Sequence, residues 1–154
     1  MVSRQHNPDY LNNGNIIIAD SLRDRIVEIN RTTKQIVLQY DEGLRWPRDA
    51  DEIGPNRLLI TDCFNNRVIE INKTSKEIIW QFDKNIVIPY EADLLENGNI
   101  LISGDYAGVV LEVNRDGKIV WKYGKSIIKS AFYLNASFLA LMSINGILHQ
   151  ISKL

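Results

Sequence analysis

His6, Arg48 and Tyr90 stand at equivalent positions of a 42-residue spacing in this chain. Histidine can move a proton or act as a nucleophile, arginine can hold an anion through a planar fork of donors, and tyrosine can stack on a planar group. Together these three suit a polar ligand carrying negative charge. Three residues further along, the same spacing aligns Asp9, Asp51 and Asp93. Three carboxylates around one axis suit a cation, although satisfaction by turn or backbone N–H groups is the simpler account. These six residues are the candidate ligand-binding set.

Other chemistry is sparse. The two histidines, His6 and His149, lie in no catalytic motif, so a nucleophile has few bases within reach. No Gly-x-Ser-x-Gly elbow occurs, and Gly124-Lys125-Ser126 is not a phosphate loop because Ile119 holds the place of its upstream glycine. Asp49, Asp51 and Gly54 begin like a calcium loop, but Ile60 stands where a bidentate glutamate is required. The single cysteine, Cys63, excludes an intramolecular disulfide and a multi-cysteine zinc site. No metal and no cofactor are expected, and no residue qualifies as catalytic beyond the weak candidate His6. Asn30, Asn72 and Asn135 open Asn-x-Ser/Thr triplets, the first two as a product of the repeat.

The elements that must position these side chains follow from the repeat. Arg25–Asn30 (RIVEIN) matches Arg67–Asn72 (RVIEIN), and Val109–Asn114 (VVLEVN) keeps the alternation without the arginine. The same offset links Glu28, Glu70 and Glu112, links Pro47 to Pro89, and links Asn13-Gly14-Asn15 to Asn97-Gly98-Asn99. Leu38, Trp80 and Trp121 correspond once one residue is dropped from the third unit's turn. Within a unit the hydrophobic period is two, in short β-branched runs bounded by Gly, Asn and Asp, which is strand and hairpin chemistry. Strands are expected near 8–11, 15–20, 25–30 and 35–40 in the first unit, and near 50–53, 57–62, 67–72 and 77–82 in the second. Four antiparallel strands in about 42 residues is the size of a β-propeller blade.

The expected fold is therefore all-β, a partial propeller over residues 6–154. Its blades fall at about 6–47, 48–89 and 90–124, with a degenerate fourth over 131–154. In that last stretch Phe138–Ser143 resembles a second strand and Gly146–Ser152 a third. Blades bury their faces only against neighbours, so an arc of this size leaves two apolar faces uncovered. Self-association is expected, as a homodimer closing a ring with blade one of each copy against blade four of the other, or else capture of another protein.

Leu44–Asp51 (LRWPRDAD) followed by Leu58–Ile71 (LLITDCFNNRVIEI) resembles a repeat of the NHL-type propellers. Asn97-Gly98-Asn99 with Ile119–Gly124 is similar to blades of arylsulfotransferase-like propellers. The resemblance covers roughly residues 6–124, and unit three departs from it at Ala107-Gly108, without the Asn-Arg pair. It implies a propeller whose ligands bind at one end of the funnel, where His6, Arg48 and Tyr90 fall, and it makes His6 the position of a sulfotransferase-like nucleophile. Asp20 with Arg25, and Asp62 with Arg67, are read as turn-bracing pairs, and Trp80 and Trp121 as blade-to-blade packing.

With 154 residues, 45% hydrophobic and 24% charged, the chain is long enough to bury a core. Its 18 basic and 19 acidic residues, net charge −1, argue against nucleic acid and an anionic membrane as partners. No apolar run follows Met1–His6 and none is long enough to span a bilayer, so a cytoplasmic location is expected. The leading functional expectation is a non-catalytic binding or scaffold module, taking a protein or a small anionic ligand at the loop-covered end of the funnel. The alternatives are an arylsulfotransferase-like or lyase-like enzyme with a pocket around His6, Arg48 and Tyr90, and a functionless remnant of a longer propeller.

Overall fold

The period-two runs fold as strands throughout the computed structural model, which describes residues 2–104 and 108–124. Blade one holds β1 (Gln5–Tyr10), β2 (Ile16–Asp20), β3 (Arg25–Ile29) and β4 (Ile36–Tyr40). Blade two holds β5 (Pro47–Gly54), β6 (Arg57–Asp62), β7 (Arg67–Asn72) and β8 (Ile78–Phe82). Blade three holds β9 (Pro89–Leu94), β10 (Ile100–Gly104), β11 (Val109–Val113) and β12 (Ile119–Tyr123). Each blade is a four-stranded antiparallel sheet in chain order. The fourth unit expected over 131–154, with His149, lies outside the described residues.

β1 packs along β5 and β5 along β9, whereas no comparable packing joins the last strands of the blades. The first strands therefore line the axis and the blades fan outward from it, the arrangement of a β-propeller. These inner strands start earlier than the sequence pattern suggests, at Gln5 and Pro47, and each carries an irregularity near its start, between His6 and Asp9 and between Pro47 and Asp49. Their first residues are polar and break the alternation, so hydrophobic period could not show that the chain was already extended there.

Both faces of blade two are apolar, which explains the near-continuous hydrophobic run of β6. Leu58, Ile60 and Ile71 pack with Ile17, Ile26 and Tyr40 of blade one. On the other face Leu59, Val68 and Phe82 pack with Ile100, Ile102 and Leu111 of blade three. Each of these fully buried side chains is worth about 1.5–3 kcal/mol in removed apolar surface. At the two ends of the arc the equivalent positions are open. Ile16, Ile18 and Ile29 are only half-buried; Tyr123 is 69% exposed where its counterpart Phe82 is 2% exposed, and Trp121 is 50% exposed where its counterpart Trp80 is partly buried. Among the described residues no helix is long and apolar enough to cross a membrane.

Candidate functional site

The segments that lead into the inner strands are held by side chains from the turn between the second and third strands. Asp20 Oδ1 accepts the Ser3 amide at 2.6 Å and Asp62 Oδ1 accepts the Arg45 amide at 2.7 Å. The other oxygen of each carboxylate takes an arginine Nε, from Arg25 at 2.8 Å and Arg67 at 2.6 Å. These are the expected Asp–Arg braces, with the difference that they fasten the lead-in as well as the hairpin. Arg4, Trp46 and Ile88, again 42 residues apart, all adopt left-handed φ of 49°, 50° and 51°. A left-handed conformation is costly for a β-branched residue, and here it is secured from the preceding blade: Trp46 N–H donates to Asp24 at 2.7 Å and Ile88 N–H to Asn66 at 2.8 Å.

This sharp turn delivers His6, Arg48 and Tyr90 to one end of the arc as neighbours. The Arg48 guanidinium carbon lies 4.4 Å from the centre of the Tyr90 ring, a cation–π stack. Its Nε is buried without a hydrogen-bond partner, and among the described residues no carboxylate forms an ion pair with it. Burial, then the positive charges of Arg48 and Arg4, hold the His6 imidazole below its ordinary pKa, so it is neutral at neutral pH. Next to these, Trp46 stacks on Phe64 at 5.4 Å and Arg4 lies 5.8 Å over Trp46. Arg4 and Trp46 escaped the sequence reading, although their 42-residue spacing, two positions before the His6 column, was available as a signal.

Asp9, Asp51 and Asp93 also converge. Asp51, on the middle inner strand, is pushed up to about 7, first by burial, then by the charges of Asp49, Asp9 and Asp93 and by a hydrogen bond shared with Asp9. Asp9 accepts its neighbour's amide, Tyr10 N–H, at 2.8 Å. Among the described residues no group of His, Cys, Asp or Glu is arranged to hold a metal ion. Asp49, absent from the expected site, ties three blades together: it accepts Asn7 Nδ2 at 3.1 Å from blade one and the Ala92 amide at 3.3 Å from blade three. Burial pushes its carboxyl up, against the pull of these donors.

The arrangement can bind charge, stack a planar group and store a proton. Among the described residues no hydrogen bond to a carboxylate orients His6. Two clefts lie elsewhere: about 540 Å3 beside Tyr40, Glu42, Ile78 and Ile79, and about 180 Å3 beside Trp80, Phe82 and Arg115. The His6–Arg48–Tyr90 group is an open surface of the arc.

No protein-family model and no curated protein sequence matches this chain. Solved structures do match its fold. A protein of unknown function from Bacteroides caccae superimposes with a TM-score of 0.65 at 17% identity, covering 77% of this chain and 48% of that one. Virginiamycin B lyase from Staphylococcus aureus gives 0.64 at 18% identity, covering 84% and 43%. The WD40 domain of Toxoplasma gondii coronin gives 0.64 at 10%, covering 77% and 33%. These likenesses show the fold: the described part of the chain is a three-blade β-propeller arc. It spans less than half the length of each of these neighbours.

Proposed function

We propose that this chain is a non-catalytic β-propeller binding module, and that a small anionic or planar acidic ligand, or an acidic segment of a partner protein, binds where His6, Arg48 and Tyr90 meet. A second copy of the chain is its other partner. The observation that carries the ligand reading is Arg48: its guanidinium is stacked on Tyr90 with a buried, unbonded Nε and, among the described residues, no carboxylate to neutralise it. An unpaired guanidinium on an aromatic ring is prepared for an incoming anion. The WD40 domains among the similar structures support a binding role, and virginiamycin B lyase shows that the fold also hosts enzymes.

The test uses para-nitrophenyl sulfate both as probe and as sulfuryl donor. Saturable binding without release of nitrophenol, lost in Arg48→Ala, is the expected result. Turnover that disappears in His6→Ala overturns the non-catalytic reading in favour of an arylsulfotransferase-like enzyme. Equal binding by wild type and Arg48→Ala overturns the site.

A further inference from the structure

At the end of the arc opposite the lead-in segments, each blade gives a carboxylate to a cation of the next. Glu28 accepts Asn13 and Asn15 of its own blade at 2.9 and 2.7 Å, and Lys73 Nζ of blade two at 3.0 Å. Glu70 accepts Arg57 of its own blade and Arg115 of blade three. The Arg115 guanidinium also lies 5.0 Å over the Trp80 ring, and its carbonyl accepts Trp80 Nε1–H at 3.0 Å. Lys73 and Arg115 share one column of the repeat, as do Glu28 and Glu70. The clamp is thus made twice, once across each blade junction.

Both columns have a third member, and each lacks its other half. Glu112 of blade three is held by Asn97 and Asn99 at 3.0 and 2.6 Å, as Glu28 is by its own asparagines. No cation pairs with it among the described residues. Arg31 of blade one stands in the Lys73 and Arg115 column, lies 5.5 Å over the Tyr10 ring, and has no carboxylate partner among the described residues. Beside Glu112, Trp121 stacks on Tyr123 at 6.4 Å and 11°, repeating the 6.4 Å and 12° stack of Trp80 on Phe82. Blade three therefore presents a copy of the socket that receives Arg115, and blade one a copy of the plug.

We infer that blade three of one copy receives blade one of a second copy, with Arg31 of the second copy seated between Glu112 and Trp121. The inference deepens the self-association in the reading above and rests on it. Each copy carries one socket and one plug, so a two-fold arrangement makes both contacts at once and closes six blades, within the usual four to eight of a propeller. The apolar faces match the charges, because the half-buried Ile16, Ile18 and Ile29 meet the side that exposes Trp121 and Tyr123. A second copy fits better than a covalently following blade. Blade three has Gly108 where Asp24 and Asn66 take the next blade's amide. Blade one needs no such catch, since its lead-in is held by its own Asp20. The blade-four contact expected from the sequence involves residues 131–154, which lie outside the described residues; the contact inferred here uses blade three instead.

Sedimentation velocity on the full chain at micromolar concentration tests this. Wild type is expected to be a dimer. Arg31→Glu and Glu112→Arg, each placing two like-charge contacts in the ring, are expected to raise the dimer dissociation constant about tenfold or more. An equal mixture of the two variants is expected to recover the dimer as a heterodimer, because both of its contacts then join opposite charges. Trp121→Ala, with circular dichroism to confirm folding, is expected to weaken the dimer without altering charge. A dimer indifferent to all three variants overturns the clamp and leaves self-association standing. A monomeric wild type overturns both, whether residues 125–154 or a different protein covers the faces, and no recovery in the mixture overturns the pairing. Para-nitrophenyl sulfate binding on the same samples reports separately on the His6–Arg48–Tyr90 site.

Discussion

Asp62 and Arg67 meet at 2.6 Å between Oδ2 and Nε, while the remaining oxygen of the same fully buried carboxylate takes the Arg45 amide at 2.7 Å. Arg67→Ala leaves that carboxylate buried without its guanidinium, and Asp62→Ala leaves the Arg45 amide without its acceptor and Asn65 with only the Gly43 carbonyl. Removing one partner of a buried pair costs about 3–5 kcal/mol. Urea unfolding of either variant is expected to show a loss in that range, against less than about 0.5 kcal/mol for the exposed Glu77→Ala. A loss below about 1 kcal/mol for Arg67→Ala would mean that the brace does not hold the lead-in.

Stability is expected to fall as the pH rises from about 4 to about 7. Asp51 is raised from 3.8 to about 7 in the folded chain. An acid with a raised folded pKa favours the protonated native state, so its contribution is greatest below the unfolded pKa and is lost between there and the folded one. After allowance for solvent near this half-buried group, the loss is on the order of 1–3 kcal/mol. Glu28 and Glu70 act in the opposite sense: burial raises them, hydrogen bonds and cations outweigh it, and both end below 4.5. Their stabilisation disappears as the pH drops through their folded pKa, so the two effects oppose each other at the acid end. Denaturant midpoints across this range should slope for wild type and flatten for Asp51→Asn; identical slopes would remove Asp51 as the cause.

Thr61 is 0% exposed and its hydroxyl has no hydrogen-bond partner. A buried hydroxyl left unsatisfied is a net cost, and valine fills the same volume without it. Thr61→Val is expected to stabilise the chain by about 1 kcal/mol in urea or thermal unfolding. Destabilisation instead would reveal an acceptor or a water serving that oxygen.

Arg48 and Arg4 depress the His6 pKa, after burial. Arg48→Ala should therefore move the His6 titration upward in an NMR pH series, with burial still keeping it below the ordinary value. The two histidine signals are distinguished by His6→Ala. An unchanged His6 pKa in Arg48→Ala would separate the two side chains that the site reading joins.

Repetition made the site legible before its geometry was known. His6, Arg48 and Tyr90 occupy one column, and a column in adjacent blades is a row of neighbours, which is why a spacing of 42 grouped Arg48 with Tyr90; that the ring takes the Arg48 guanidinium, where the sequence suggested a ligand, is visible only in the structure. The same logic brought Asp9, Asp51 and Asp93 together. Asp49 was not legible, because its acceptor role depends on an amide of the following blade and on a bulge that turns the side chain inward. Nor was the left-handed turn at Trp46 and Ile88, since neither residue type favours it and the acceptors that secure it lie 22 residues away in the chain.

The amides of Trp46 and Ile88 have a consequence for how the molecule is made. Each is held by a side chain already synthesised in the blade before it, so a growing chain meets a finished latch at every junction and can add blades in the order of translation. Gly108 breaks that series, for it offers no side chain to latch anything that follows.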